Sequence, residues 1–110
     1  MNNPDLSVVI ANHNGIGVLQ SCLDSLRRPQ SITLEVIVVD DASIDGSREF
    51  VARSYPEVRL IELSNNLGFG AASNRGAAIS SARYILFLNN DTIVHRGALE
   101  DLVTFADGHP

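Results

Sequence analysis

Polar side chains that could bind a cation or a nucleotide stand directly after three apolar segments of this 110-residue chain. Carboxylates and amides are hard oxygen ligands suited to Mg²⁺ or Mn²⁺, and Mg²⁺ is commonly held by one or two carboxylates while substrate phosphates supply further ligands. These residue types predict a site where a divalent cation joins an acidic protein to a diphosphate. The candidate residues are Asn12, His13, Asp40, Asp41, Asn89, Asn90 and Asp91.

Each candidate residue also has a simpler interpretation when it is considered alone. A single Asp or Asn after a strand is usually a turn former or a helix cap, and a lone histidine such as His13 is more often an exposed loop residue than a ligand. We interpret Asp45 as a cap only. The "GFG" at 68–70 is interpreted as loop geometry, because the third glycine of a dinucleotide fingerprint is missing. The coincidence of three polar segments carries more weight than any one residue.

Four short apolar segments predict four β-strands, and the segment after each of them predicts a helix. We expect Asn14 to cap the first helix and Asp45 or Ser43 to cap the second. The third strand alternates as an edge strand does, whereas the fourth is apolar throughout, which predicts that both of its faces are covered. The strands are expected at 6–11, 34–39, 58–63 and 84–88.

The β-α-β-α-β-α-β-α order predicts a parallel sheet with helices on both faces, in one domain that spans residues 1–110. Ligands of open parallel sheets bind outside the carboxyl ends of the strands. The three polar segments would therefore meet at one rim of the sheet, and the polar end of "YILFLNNDT" at 84–92 would face a shared ligand site.

Composition and motifs exclude several classes of protein. The formal net charge of −5, with scattered arginines, argues against a nucleic-acid partner. No apolar stretch approaches the roughly 20 residues of a membrane span and no leader pattern is visible, so a cytoplasmic location is expected. The turn "NHNGIG" lacks the glycines of a dinucleotide-binding oxidoreductase, and a chain without lysine cannot complete a phosphoacceptor receiver site. Cys22 is predicted to be a packed thiol.

Four motifs resemble the N-terminal, nucleotide-sugar-binding half of family 2 glycosyltransferases with the GT-A fold. They are "LSVVIANHN", "EVIVVDDASIDGS", "NNLGFGAASNRG" and "YILFLNNDT", in the family's order, and they cover almost the whole of 6–92. The "NNLGFG" and "LNNDT" variants look most similar to the rhamnosyltransferase-like branch that builds bacterial surface polysaccharides. The resemblance implies a Rossmann-like α/β fold with a mainly parallel sheet in the order 3-2-1-4, and a nucleoside-diphosphate sugar as the donor.

The resemblance also implies which residues contact the nucleotide. Asp40 and Asp41 match the acidic pair that contacts the base and the ribose. Asn12 and His13 match the loop that lines the base pocket, where an aromatic residue, often tyrosine, is usual, so His13 departs from the family. Asn74 matches a helix position that faces the nucleotide, and it is the polar residue of its helix that calls for a partner.

The segment "NND" matches the family's Asp-x-Asp-type motif, in which the last carboxylate binds the metal on the diphosphate. Asn89 stands where the first acid is usual, Asn90 follows it, and Asp91 is the implied ligand for Mg²⁺ or Mn²⁺. Such enzymes are similar to inverting transferases, in which a metal-stabilised nucleoside diphosphate leaves as an acceptor hydroxyl attacks the anomeric carbon. In the family, a carboxylate from the C-terminal half deprotonates the acceptor.

Members of the family are considerably longer, so we expect a truncated domain that holds a nucleotide but transfers no sugar alone. In the full-length protein a glycan or a lipid-linked acceptor is expected, with a place at the inner face of the membrane. The apolar fourth strand lies at a sheet edge in the implied order, which predicts self-association through that edge. The alternative to a donor-binding domain is a non-catalytic nucleotide-binding or interaction module that kept the fold.

Overall fold

A computed structural model describes residues 3–109, and their strands and helices alternate along the chain. All strand pairs are parallel, and the sheet order is β3-β2-β1-β4, which confirms the predicted order. No helix within the described range has the length and apolar character that crossing a membrane requires. The elements are β1 (Leu6–Asn12), α1 (Ile16–Leu26), β2 (Leu34–Asp41), α2 (Ser47–Ser54), β3 (Arg59–Leu63), α3 (Phe69–Ile79), β4 (Tyr84–Phe87) and α4 (Ala98–Gly108).

Helices cover both faces of the sheet, as predicted. Successive side chains of a strand point to opposite faces. In β1, Val8 and Ile10 therefore join a core shared with α1, α2 and α4, whereas Val9 packs in a second core with Ala72 of α3. The small residues of α3 let it lie close to the sheet, because a Cβ on Gly76 would overlap a methyl group of Val9.

The prediction that both faces of β4 are covered is wrong. Ile85 and Phe87 are 41% and 48% exposed, whereas the alternate residues Tyr84 and Leu86 pack against the core that includes α4. Phe87 aligns with Val9 of β1, so the bare face is the face on which α3 lies. Because α3 packs against β1 and β2, this face of β4 has no helix over it among the described residues.

The prediction that Asn14 caps α1 is also wrong. Gly15 is the N-cap residue of that helix, and it has no side chain that could accept a hydrogen bond. Asn14 instead adopts a left-handed backbone conformation with φ 53°, and its Oδ1 accepts the backbone N–H of Ile44 at 2.8 Å. The side chain is therefore used to join the loop after β1 to the loop after β2.

Asp45 fills the capping role at the starts of two helices. Its Oδ1 accepts the backbone N–H of Ser47 at 3.0 Å, which confirms Asp45 as the predicted partner of α2. Its Oδ2 accepts the backbone N–H of Ile16 in α1, also at 3.0 Å. These N–H groups have no partner within their own helices, so one carboxylate joins the first turns of α1 and α2 beside the polar rim.

Candidate functional site

The polar residues expected after the first two strands are the last residues of those strands. β1 runs through Asn12 and β2 through Asp41, and the register pairs Asn12 with Asp40. Asn12 and Asp40 are each 1% exposed, and Asp41 is 3% exposed. Burying a polar group costs free energy unless it is hydrogen-bonded, so the partners of these three side chains determine how the rim is built.

A chain of four side chains crosses the carboxyl end of the sheet, and we call it the rim network. Asn90 Nδ2 donates to Asn12 Oδ1 at 3.0 Å, and Asn12 Nδ2 donates to Asp40 Oδ1 at 3.3 Å. Asp40 Oδ2 accepts from Arg48 Nε at 2.8 Å. The network joins the loop after β4 to β1, β2 and α2, so three of the sequence-predicted residues are brought into direct contact.

Arg48 completes the network, and it is not among the residues that the sequence predicted. Its guanidinium also donates from Nη2 to the backbone carbonyl of Leu63 at 2.7 Å, which ties α2 to the end of β3. A buried carboxylate such as Asp40 needs a cation or several donors. Arg48, in the first turn of the following helix, is the arginine nearest to Asp40 in the sequence. The need of a buried carboxylate for a cation could therefore have identified it.

Asp41 faces the loop between β3 and α3. Its two carboxylate oxygens accept the backbone N–H groups of Leu67 and Gly68, at 2.7 and 2.9 Å. Both oxygens of this buried acid are therefore engaged with the protein. The contacts fix the turn before α3. The interpretation of "GFG" as loop geometry holds for Gly68 alone, because Phe69 and Gly70 lie in the first turn of the helix.

His13 links the same loops from the other side of the rim. Its Nδ1 lies 2.6 Å from the backbone carbonyl oxygen of Asp41, and a carbonyl oxygen only accepts, so Nδ1 carries the proton. In the neutral ring Nε2 is then an acceptor, and the amide nitrogens of Asn14 and Asn66 lie 3.3 and 3.4 Å from it. The ring is exposed at the surface while its orientation is set by three loops.

A cleft of about 240 Å³ opens between the end of β1 and the start of α3. His13 and Phe69 contribute aromatic surface to it, and Phe69 is 57% exposed. This mixture of aromatic and polar groups suits a heteroaromatic ring. A second cleft, of about 270 Å³, lies at the amino ends of β2 and β3, and none of the candidate residues line it. The residues that line the first cleft are Ala11, Asn12, His13, Asp41, Asn66, Gly68 and Phe69.

Asp91 and Asn89 are exposed beside the rim network. Within residues 3–109, the Asp91 carboxylate accepts no hydrogen bond and forms no ion pair, so its oxygens are open to a cation. No group of three or more His, Cys, Asp or Glu side chains is placed to hold a metal in this part of the chain. The donor set fits a cation that one carboxylate holds and that takes its other ligands from a bound phosphate.

Cys22 is the packed thiol that its sequence position predicts. The side chain is fully buried, and burial, helped by the negative charge of Asp91, raises its pKa to about 11. The thiol is therefore neutral at physiological pH and is a poor nucleophile or metal ligand. Asn74 is exposed on α3, and no contact among the described residues brings its side chain to the rim.

A parallel sheet with this polar rim, and with an aromatic-lined cleft beside it, defines a Rossmann-like α/β domain. The sequence profile described as "Glycosyl transferase family 2" matches residues 7–110, and the chain belongs to this family. The fold is the one that the GT-A resemblance implied.

Curated relatives agree with this assignment. The chain is 35% identical over 105 residues to the succinoglycan biosynthesis protein ExoO of Rhizobium meliloti, a match that covers 94% of this chain and 30% of that protein. It is also 35% identical over 104 residues to the uncharacterized glycosyltransferase YibD of Escherichia coli, with 92% of this chain and 30% of that protein covered. The chain thus spans about 30% of the length of these relatives.

Two solved structures have the same fold. The crystal structure of S. aureus TarS 1–349 in complex with UDP-GlcNAc matches with a TM-score of 0.83 and 26% identity, over 96% of this chain and 32% of that one. The mannosyltransferase PcManGT from Pyrobaculum calidifontis, in complex with GDP-Man and Mn²⁺, matches with a TM-score of 0.79 and 25% identity, over 94% and 32%.

Proposed function

We propose that the chain is the donor-binding part of a glycosyltransferase that takes a nucleoside-diphosphate sugar. The observation that carries the proposal is the juxtaposition of an aromatic-lined cleft with a rim network that ends beside an exposed carboxylate, Asp91. A base and a diphosphate need these two kinds of surface side by side. The solved relatives with UDP-GlcNAc and with GDP-Man and Mn²⁺ support the same ligand class.

The base is proposed to lie in the cleft between His13 and Phe69. Aromatic side chains bind nucleobases by stacking, which contributes about 1–3 kcal/mol per base. His13 departs from the tyrosine usual in the family, and Phe69 supplies a second aromatic surface. Direct contacts from Asp40 and Asp41 to the base or ribose stay a prediction, and each would require one of the present hydrogen bonds to exchange for a bond to the ligand.

The diphosphate is proposed to lie over the loop after β4. Asp91 would hold Mg²⁺ or Mn²⁺ there, with Asn89 and Asn90 as neighbouring amide donors or acceptors. A divalent cation supplies Lewis-acid stabilisation of the charge on a leaving diphosphate. Two acidic residues of β2 remain buried and paired within the protein, so the anionic ligand meets one open carboxylate rather than an uncompensated acidic cluster.

For the whole protein we propose inverting transfer to an acceptor hydroxyl during the synthesis of a bacterial polysaccharide or cell-envelope glycan. The role of ExoO in succinoglycan biosynthesis supports this proposal for the pathway class. A nucleotide-binding module without catalysis is the second candidate. The asparagine in place of the first acid of the metal motif favours it, because a single carboxylate leaves metal binding dependent on the ligand.

Calorimetric titration with uridine, guanosine and thymidine diphosphates, each with Mg²⁺ or Mn²⁺, tests the proposal. We expect one nucleotide to bind in a metal-dependent manner, and Asp91→Ala to abolish the metal dependence. Asp101→Ala is the matched control, because Asp101 is an exposed aspartate of α4 outside the rim. If the unsubstituted chain binds a nucleotide with the same affinity with and without metal, the result would favour the non-catalytic module. No nucleotide binding at all would overturn the proposal.

A further inference from the structure

The rim network has a fixed direction of donors and acceptors. Arg48 has only donors, so the carboxylate of Asp40 accepts from it. An ionised carboxylate has no proton to give, so Asn12 must turn its Nδ2 toward Asp40 and its Oδ1 toward Asn90. Asn90 must then donate. The carboxylate of Asp40, which accepts from Arg48 and from the backbone N–H of Ser43, therefore specifies the orientation of two amides in two other parts of the chain. Arg48 supplies the positive charge that pairs with this carboxylate.

The end of the network lies in the loop that carries the exposed carboxylate. The side-chain Nδ2 of Asn90 donates a hydrogen bond to Asn12, and its Oδ1 accepts no hydrogen bond from residues 3–109. A side-chain amide oxygen of the residue before Asp91 is a hard ligand or acceptor of the kind that a cation or a ribose hydroxyl takes. With the opposite amide orientation, Asn90 would offer a donor at that place instead.

We propose that Arg48 is a positioning residue for the diphosphate-binding loop, acting through Asp40, Asn12 and Asn90. The inference rests on the proposed function, since it assigns the loop after β4 to the diphosphate. Arg48 contacts none of the residues proposed to lie at the diphosphate, which are Asn89, Asn90 and Asp91. It holds Asp40 from the far side and anchors itself on the carbonyl of Leu63, so its effect on a ligand passes through the amides.

The chain contains a matched control for Arg48 at the other end of the sheet. Arg59 Nη1 donates to the carboxylate of Glu35 at 3.0 Å and to the backbone carbonyl of Ile79 at 3.1 Å. The two arginines thus make the same pair of contacts, one carboxylate and one carbonyl. Glu35 lies at the second position of β2, away from the carboxyl ends of the strands. The loss of an arginine–carboxylate pair should therefore lower the stability of both variants. A loss of ligand affinity should appear only when Arg48 is replaced.

The first experiment compares Arg48→Met and Arg59→Met in titrations with uridine diphosphate and Mn²⁺, or with the guanosine or thymidine diphosphate where that binds better. We expect Arg48→Met to lose up to about 10-fold in metal-dependent affinity, because removing a direct partner of a metal ligand costs about 10- to 100-fold and Arg48 acts through intervening side chains. The parent nucleoside without metal should lose less affinity than the diphosphate does, because only the diphosphate depends on the loop after β4. Arg48→Lys should recover part of the loss, because lysine keeps the charge but not the two-way fork.

A double-mutant cycle tests the route of the effect. If Arg48 acts through Asn90, the variant with both Arg48→Met and Asn90→Ala loses no more affinity than the greater single loss. Arg59→Met combined with Asn90→Ala should give the sum of the two single effects. The side-chain amide resonances of Asn90 should also shift in Arg48→Met and stay in place in Arg59→Met, which reports the network without any ligand.

The outcomes separate the inference from the proposed function. No metal-dependent nucleotide binding by the unsubstituted chain would overturn the proposed function and the inference with it. Binding that is intact in Arg48→Met, or equal losses in Arg48→Met and Arg59→Met, would overturn the inference alone. If Arg48→Met does not fold, Arg48→Gln decides, because glutamine can still donate a hydrogen bond to Asp40 but carries no charge. An affinity equal to that of the unsubstituted chain together with unshifted Asn90 amide resonances would overturn the inference.

Discussion

Replacing Gly15 with alanine tests whether the contact between Asn12 and Asn90 holds the rim together. Gly15 precedes α1 with φ −103° and ψ 25°, a conformation that alanine can adopt, so the change adds a methyl group without forcing a left-handed backbone. A Cβ at this position would overlap both Asn90 Nδ2 and Asn12 Oδ1. The two amides must separate to admit it.

The cost follows from the groups that lose their partners. Asn12 is buried, and leaving its Oδ1 without a donor costs about 1–3 kcal/mol. Alanine is also a poorer residue than glycine at a helix start, by up to about 1 kcal/mol. We therefore expect Gly15→Ala to lower the free energy of unfolding by about 1–4 kcal/mol. Gly17→Ala is the control, because Gly17 is an exposed helical residue with no atom within 4 Å of a Cβ.

Urea unfolding followed by circular dichroism measures both changes. Gly17→Ala should raise the free energy of unfolding by about 0.5–1 kcal/mol, since alanine loses less conformational entropy in a helix. In an Asn90→Ala background the penalty of Gly15→Ala should shrink, because one of the two overlapping amides is gone. A Gly15→Ala protein as stable as the unsubstituted chain, beside a Gly17→Ala protein that behaves as expected, would refute the reasoning.

Two further predictions concern regions outside the rim. Burial, with the hydrogen bond that Tyr55 donates to Asp24, raises the pKa of Tyr55 from 10.0 to about 12. The folded-state pKa lies above the ordinary one, so the stability that the Tyr55 hydroxyl contributes is complete below about pH 10 and is lost as the pH rises toward 12. The difference in unfolding free energy between the unsubstituted chain and Tyr55→Phe should fall over that range, and a constant difference would contradict it. At the exposed edge, Ile85 and Phe87 predict pairing with a second copy. Light scattering should show concentration-dependent association that Ile85→Lys removes. Ile44→Lys, at a 92% exposed residue of the loop after β2, should leave the association unchanged. A monomer at high concentration would count against the prediction.

Local patterns predicted the fold well because strands and helices depend on periodicity. The apolar segments at 6–11 and 34–39 lie in β1 and β2, and the small residues of α3 pack against the sheet as their size indicates. The coverage of β4 could not be inferred in this way. A strand that is apolar on both faces is expected to have a packed element on each face. The sequence of the strand does not say which elements these are.

The partners within the site depend on contacts between distant parts of the chain. Polar strand ends were predicted to meet, and Asn12 contacts Asn90 across 78 positions. The need of a buried Asp40 for a cation was the one signal in the sequence for Arg48. Nothing in the spacing indicated that Asn14 would bond to the loop after β2 instead of capping α1. Phe69 was placed in a loop motif, and only the position of α3 beside β1 reveals it at the cleft.

Exposure divides the rim into two sets of residues with different tasks. Asn12, Asp40 and Asp41 are buried, and the protein already uses their hydrogen-bonding groups. Asp91 and Phe69 are exposed, so the carboxylate of Asp91 and the aromatic ring of Phe69 are available to a ligand. Substitutions in the buried set should therefore change stability and affinity together, because a lost partner leaves a polar group unpaired in the interior. Substitutions in the exposed set should change affinity while the free energy of unfolding stays nearly constant.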